Sequence, residues 1–465
     1  MRYRRLGILA GTLVLTGGLL AGCGTASTAS TTAATTSTTT TTSSAATQSS
    51  GQTSSSGSKG SAVTAASVDT SDLFSNRDLE QTADTSSAKT ITLTSGQDVT
   101  ISEEGVYVIT GSAENTTIIV DAPDDAKVQL VLSGVTVTND DFPVIYVKSA
   151  DKVFVTTVSG TQNALSVTGE FTADGTTNTD AVIFCKSDLT LNGEGTLTVS
   201  SAQGNGISGK DEITITGGTY VINSKKDAIE AQDAINIADG DFTITTDKDG
   251  LHSEDSDDPT TGSVYIGGGT FVIDAGDDGI QATTNLTIDG GTFTIDAVEG
   301  LEGTFVTVNG GTISITASDD GINAAQKGSS TDVEIVINGG DITIVMGSGD
   351  TDALDANGCL YINGGTLDIT ASSPFDYDTD GAINGGTVYV NGEQVTEIYN
   401  SMMGGGGMGQ MPGGRGGQAP GSQNGGSGQM PDSNSSGQAP GSQNGSGSQA
   451  PGQAGGMQSQ NTGAV

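Results

Sequence analysis

Apolar and polar positions alternate in short runs through the middle of the chain, as in Ile213-Thr214-Ile215-Thr216 and Phe242-Thr243-Ile244-Thr245. A two-residue period rich in β-branched and aromatic residues predicts half-buried strands, because successive strand side chains point to opposite faces. The runs sit inside a longer repeat. Its unit is Asp-Gly-Ile-x-Ala, a short spacer, then Ile-x-Ile-x-Gly-Gly-Thr-x-x-Ile. One copy opens at Asp278-Gly279-Ile280-Gln281-Ala282 and closes at Gly290-Gly291-Thr292-Phe293-Thr294-Ile295. The small residue of the first motif recurs at Ala181, Gly206, Ala228, Gly250, Gly279, Gly300, Gly321 and Ala353, with spacings of 25, 22, 22, 29, 21, 21 and 32. A base period of 21–22 residues is short for helical repeats and suits a coil of three short strands.

The expected fold is therefore all-β, a right-handed parallel β-helix. Ile, Val, Leu and Phe stack inside it, and Thr, Ser, Asn and Asp stack outside. The Gly-Gly pairs mark a corner that needs positive φ, where β-branched residues do not turn. Val128-Gln129-Leu130-Val131-Leu132 and Val153-Phe154-Val155 read as looser coils of the same stack. Residues 89–120 are expected to form an N-terminal β cap, since an open end exposes unpaired backbone.

Both ends of the chain change character. Arg2, Arg4 and Arg5 precede a short apolar stretch from Leu6 to Leu20, and Leu20-Ala21-Gly22-Cys23 resembles a bacterial lipobox. Residues 1–22 are expected to be a lipoprotein signal peptide, with Cys23 lipidated and the chain held on the outer face of a bacterial membrane. Residues 23–66, mostly Ser, Thr, Ala, Gln and Gly, cannot bury enough apolar surface to offset their ordering entropy. They read as a tether of about 35 Å typical reach. A transition segment, 67–88, joins it to the β-helix domain at 89–400. The Gly/Gln/Pro/Ser-rich stretch 401–465, with a 20-residue internal repeat at Gln418 and Gln438, reads as a disordered tail. Cys185 and Cys359 fall about seven strand spacings apart, roughly 34 Å. That is beyond disulfide reach, so both are expected to be free and buried.

Charge sharpens the picture. The chain has 465 residues and carries 55 Asp and Glu against 16 Lys and Arg. All but one of the acids lie in 69–400, where the net charge is −43. Such a domain cannot neutralise phosphates, which argues against a nucleic-acid partner. Many acids fall in one repeat position, Asp180, Asp227, Asp249, Asp278, Glu299, Asp320 and Asp352, with Asn205 in the remaining coil. Three residues on stand Glu230, His252, Gln281, Glu302, Asn323 and Asp355. Ionised carboxylates stacked about 4.8 Å apart repel by roughly 3–4 kcal/mol at an effective dielectric of 20, so protons or cations must compensate them. Carboxylate and carbonyl oxygens without His or Cys clusters favour calcium.

The densest stretch, Asp277, Asp278, Glu299, Glu302, Asp319 and Asp320, is the first candidate calcium site. Asp376-Tyr377-Asp378-Thr379-Asp380-Gly381 is the second, through its Asp-x-Asp-x-Asp-Gly opening, although Thr387 replaces the closing Glu of an EF-hand. A third acidic loop is Glu254, Asp255, Asp257 and Asp258. His252 reads as a surface polar residue. No catalytic residue is assigned, because an active site is usually one departure from a repeat and these acids recur in every coil.

Three sets of residues carry a resemblance to a known group: 119–132 from Ile119-Val120-Asp121-Ala122-Pro123, 145–153 from Ile145-Tyr146-Val147-Lys148, and the Asp-Asp-Gly-Ile coils. Over roughly 89–391 the chain resembles bacterial cell-surface carbohydrate-binding domain proteins, understood in clostridia as binders of polygalacturonate and cellulose. The resemblance implies a pectate-lyase-type β-helix with bound calcium and no assigned catalytic activity. The expected partner is a uronate-containing or plant cell-wall polysaccharide, bound by a monomer. Candidate sugar contacts are Asp227, Glu230, Asp249, Asp352, Asp355, Tyr265 and Tyr361, the two tyrosines sharing a strand column. A polysaccharide lyase or hydrolase, and a calcium-stiffened adhesin without sugar specificity, are the alternatives.

Overall fold

In a computed structural model the described residues are 70–399, except 176 and 350; residues 1–69 and 400–465, including the expected signal peptide, Cys23, tether and tail, lie outside them. Every turn of the chain lays down three strands, and each strand pairs with its counterpart one turn later. Among the described residues all strand pairings are parallel except that of Thr387–Val390 with Glu393–Val395, a closing hairpin. The result is the expected parallel β-helix, made of three sheets that share one interior.

The first sheet stacks the Asp-Gly-Ile strands: Ala181–Cys185, Asn205–Gly209, Ile229–Ala231, Leu251–Ser253, then 278–282, 299–303, Ile322–Ala324 and Leu354–Ala356. Its inward column, Ile229, Leu251, Ile280, Leu301, Ile322 and Leu354, is fully buried. The third sheet stacks the Thr-rich strands, of which Thr270–Ala275 and Thr292–Ala297 alternate strictly between exposed and buried. Its inward aromatics, Tyr220, Phe242, Phe271 and Phe293, lie ring on ring at 5.0, 4.6 and 4.6 Å. Similar residues in register therefore become one continuous core.

The glycines divide their roles. The second of each Gly-Gly pair turns the corner at positive φ, as at Gly291 (110°) and Gly311 (99°). Gly300, in the Asp-Gly-Ile motif, has no such φ. A Cβ there would lie 2.4 Å from the Gly321 carbonyl oxygen and 2.5 Å from Ile315. Close stacking of coils, not turning, demands the small residue. Just before the Gly-Gly pairs, at that same corner, the side chains of Asn384, Asn363, Asn338 and Asn309 each donate to the previous coil, ending on Asp289, at 2.7–2.9 Å. Such a ladder satisfies polar groups that coil stacking would otherwise strand.

The N-terminal cap is itself built of coils. Lys89–Thr92 and Val99–Ile101 pair in parallel with Gly105–Glu114 and Ile118–Asp121. Segment 70–88 instead straps the outside of the second sheet, which stacks Lys152–Thr157, Asp188–Gly193, Glu212–Ile215, Ala234–Ile237 and Ser263–Ile266. Asp78, buried, accepts from Thr190 Oγ1 at 2.6 Å and pairs with Lys152 at 2.9 Å. Burial works against its charge, yet the bonds from Ser75, Thr190 and Lys152 hold its carboxyl below the usual range. Arg77 stacks over Phe154, and Gln81 reaches the backbone of Gly193 and Thr216. Cys185 and Cys359 are free and lie in different sheets, but Cys359 is only half-buried, at the start of its strand. Burial pushes the Cys185 thiol up to about 12.

Candidate functional site

The strand register places the acids in two columns along one edge of the first sheet. The corner column runs Asn205, Asp227, Asp249, Asp278, Glu299, Asp320 and Asp352, as the pairings of the following Ile or Leu residues require. Asp180 does not belong to it. Ala181 pairs with Asn205, so Asp180 falls one place early and its carboxylate binds Lys226 instead. The second column is outward-facing: Ser208, Glu230, His252, Gln281, Glu302, Asn323, Asp355 and Asp376.

The N-terminal half of this ladder neutralises itself. His252 lies 3.3 Å from Asp227, 3.4 Å from Asp249 and 3.3 Å from Glu254. Burial opposes its charge, but Asp227, Asp249 and Glu230 outweigh it and raise the imidazole to about 9. It is a sunken imidazolium rather than a surface polar residue. Burial likewise disfavours the Asp227 carboxylate, and the His252 contact more than reverses that, leaving its pKa lowered. Asp249 is raised to about 6, mainly by burial. Glu230 accepts from Asn205 and Ser208, both at 2.8 Å. Lys248 pairs with Asp277, which also approaches Asp249 and Asp278.

The C-terminal half is different. Ligand oxygens of Asp278, Glu299 and Glu302 lie within 4.8 Å of one another. Burial first, and then their mutual repulsion, pushes Asp278 and Glu299 well above the ordinary carboxylate range. Gln281 Nε2 bridges Asp278 and Glu302 at 2.5 Å each, and Asn323 Nδ2 donates to Glu299 at 2.9 Å. Asn323 Oδ1 is buried and has no partner. One coil on, burial and Asp355 raise Asp320 to about 7, and burial and Asp376 raise Asp355 to about 6. Asp320 accepts from the Asp352 backbone at 3.2 Å, and Asp352 accepts from Ser373. Asp319 is exposed beside Asp320 and outside the three-carboxylate groups. The triad and its amides form an all-oxygen donor set when the amides present their carbonyls, which fits a hard divalent cation such as calcium.

The second candidate calcium loop is not gathered around a point. Asp376–Tyr377 is a strand continuing the first sheet against Asp355, whereas Asp380 opens Asp380–Ile383 in the next sheet. Pairing to the preceding coil keeps this segment extended where a metal loop would curl. Asp378 is exposed between the two strands, and Asp380 accepts from Tyr361 at 3.0 Å. In the Glu254 loop, Glu254 turns back to His252, while Asp255 and Asp258 close local turns.

Tyr265 and Tyr361 do share a strand column. Tyr265, however, is 7% exposed, packed under Phe74 of the strap at 6.1 Å and bound to Asp289. It cannot serve as a sugar platform. Tyr265→Ala is expected to lower the melting temperature, because it removes the Phe74 and Asp289 contacts. A thermal melt equal to that of wild type would refute it.

A family model for carbohydrate-binding domain-containing proteins matches residues 95–378 and 304–404. The chain belongs to that family. A carbohydrate-binding domain-containing protein of Acetivibrio thermocellus is 33% identical over 132 residues, 28% of this chain. The chain spans about half, 46%, of that relative's length. A solved structure described as the polysaccharide lyase-like protein from C. thermocellum, in a gadolinium derivative, has 22% identity and a TM-score of 0.30, covering 67% of this chain and 97% of its own. Within this carbohydrate-binding domain, sequence reasoning found the ladder but missed Lys327, whose ammonium lies 2.6 Å from Glu302. The signal available was its position in the 32-residue coil, the longest departure from the repeat.

Proposed function

We propose that the chain is a surface-anchored, calcium-dependent binder of acidic, uronate-containing polysaccharide. Family membership supports carbohydrate binding. The observation that carries the calcium requirement is the Asp278, Glu299 and Glu302 cluster, three carboxylates with crowded oxygens and a buried, unpaired Asn323 carbonyl beside them. A domain of this charge repels a polyuronate. A divalent ion held between ladder carboxylates and sugar carboxylates turns that repulsion into attraction. Asp320, Asp352, Asp355 and Asp376 extend the same edge and offer further contacts along a polymer. Thiol lipidation at Cys23 and the tether 23–66 hold the domain out from the membrane to meet its ligand.

Calorimetric titration with polygalacturonate tests the reading. Binding is expected in millimolar calcium and is expected to fall by more than about tenfold in excess EDTA. Equal affinity in EDTA would remove the calcium requirement.

A further inference from the structure

We propose that Lys327 is a tethered counter-ion that sets the calcium threshold of the Asp278, Glu299 and Glu302 cluster. The inference rests on the calcium reading above and concerns a residue outside the repeat. Lys327 lies on the extra residues between Gly321 and Ala353. The root of that loop is bolted to the coil below. Ala325 N donates to the Gly303 carbonyl at 3.0 Å, and Lys327 and Gly328 N donate to Thr304 Oγ1 at 3.1 and 3.3 Å. Thr304 is fully buried and donates in turn to the Thr283 carbonyl at 2.7 Å. Further along, Ser329 N reaches the Pro259 carbonyl at 3.1 Å. This framework aims the Lys327 ammonium at Glu302, with Asp278 and Glu299 close enough to act on its charge.

The other ladder lysines are placed differently: Lys210 lies 3.7 Å from Glu230, whose side chain is 23% exposed. Lys226 and Lys248 pair with Asp180 and Asp277, outside the triad, and are about half exposed. Lys327 instead meets a glutamate whose side chain is 4% exposed. Three donors therefore point into the triad: the Gln281 amide, the Asn323 amide and the Lys327 ammonium. Both amides can rotate to offer a carbonyl oxygen, but an ammonium has no acceptor. A cation entering here must displace Lys327 from Glu302. Asn323 Oδ1, on a side chain 7% exposed, is the independent sign that the site is built for a cation. It is an acceptor left without a donor while the amide nitrogen faces Glu299. Lys327 thus trades a weaker calcium affinity for a cluster that tolerates its own charge when calcium is scarce.

The test is calorimetric titration of calcium chloride into the folded chain, comparing wild type with Lys327→Met and Lys327→Arg. The Met variant, neutral and of similar length, is expected to bind calcium about tenfold tighter, equivalent to about 1.4 kcal/mol. The Arg variant is expected to stay within about twofold of wild type. In EDTA the Met variant should melt below wild type, and in saturating calcium this deficit should vanish or reverse. Unchanged or weaker calcium binding by the Met variant, beside a wild type that binds, overturns the role of Lys327 alone. Absence of calcium uptake by all three proteins overturns the calcium reading and this inference with it. Circular dichroism confirms that each protein is folded, and Lys327→Gln gives the same comparison where the Met variant is not.

Discussion

Replacing Asp278, Glu299 and Glu302 together by Asn, Gln and Gln is expected to weaken calcium-dependent polygalacturonate binding by at least about 100-fold, roughly 2.7 kcal/mol. The same change is expected to raise the melting temperature in EDTA. The two effects share one cause. Three carboxylates with one oxygen each within 4.8 Å of the others repel when no cation is bound, even with Lys327 on Glu302, and in the proposed calcium reading that same crowding supplies the charge that attracts the ion. Neutral amides of similar shape keep the hydrogen bonds to Gln281 and Asn323 available while removing the repulsion. A site kept at the expense of stability should show both signs at once. Calorimetry and thermal melts read them separately. Wild-type polysaccharide affinity in the triple variant would remove the cluster from the binding surface, and a lower melting temperature in EDTA would show that it is structural.

In EDTA the wild-type chain is also expected to lose stability as pH rises from 5 to 9, by more than about 5 °C in melting temperature. Asp249 and Asp355 are raised to about 6 and Asp320 to about 7, against an ordinary Asp value of 3.8. Asp278 and Glu299 shift in the same direction, and His252 rises to about 9 from 6.5. A group with a raised pKa in the folded state binds protons more tightly there than in the unfolded chain. Its contribution is complete below the unfolded pKa and disappears as pH climbs through the folded one. All these groups therefore act with one sign across this window. Asp227, with its lowered pKa, acts oppositely, and its contribution is lost only in more acidic solution. Saturating calcium takes the place of the lost protons and should flatten the slope. A melting temperature in EDTA that is flat or rises from pH 5 to 9 would contradict the buried-carboxylate ladder.

Much of this was readable from the chain. The strand period, the 21–22-residue recurrence and the Asp-Gly-Ile motif are local signals, and they specify a stack of three-stranded coils with acids along one edge. From Asn205 to Asp352 the acid column lies where residue counting puts it. Counting failed at Asp180, because the pairing of Ile183 with Ile207, not the spacing, decides the register across the preceding loop. It failed again at Asp376, Asp378 and Asp380, where a familiar pattern of acids is drawn straight by pairing with the coil before it.

What only the tertiary structure decided is which charges have company. His252 and Lys248 balance one half of the ladder, while Asp278, Glu299 and Glu302 crowd the other around Lys327. Tyr265 is hidden by Phe74, 191 positions earlier in the numbering. The physical reason is range. A repeat announces its own period because each coil contacts the next at a constant offset, so backbone pairing is written in every copy. Insertions and straps arrive from outside that offset, and the burial and counter-charge they bring depend on folded distance alone.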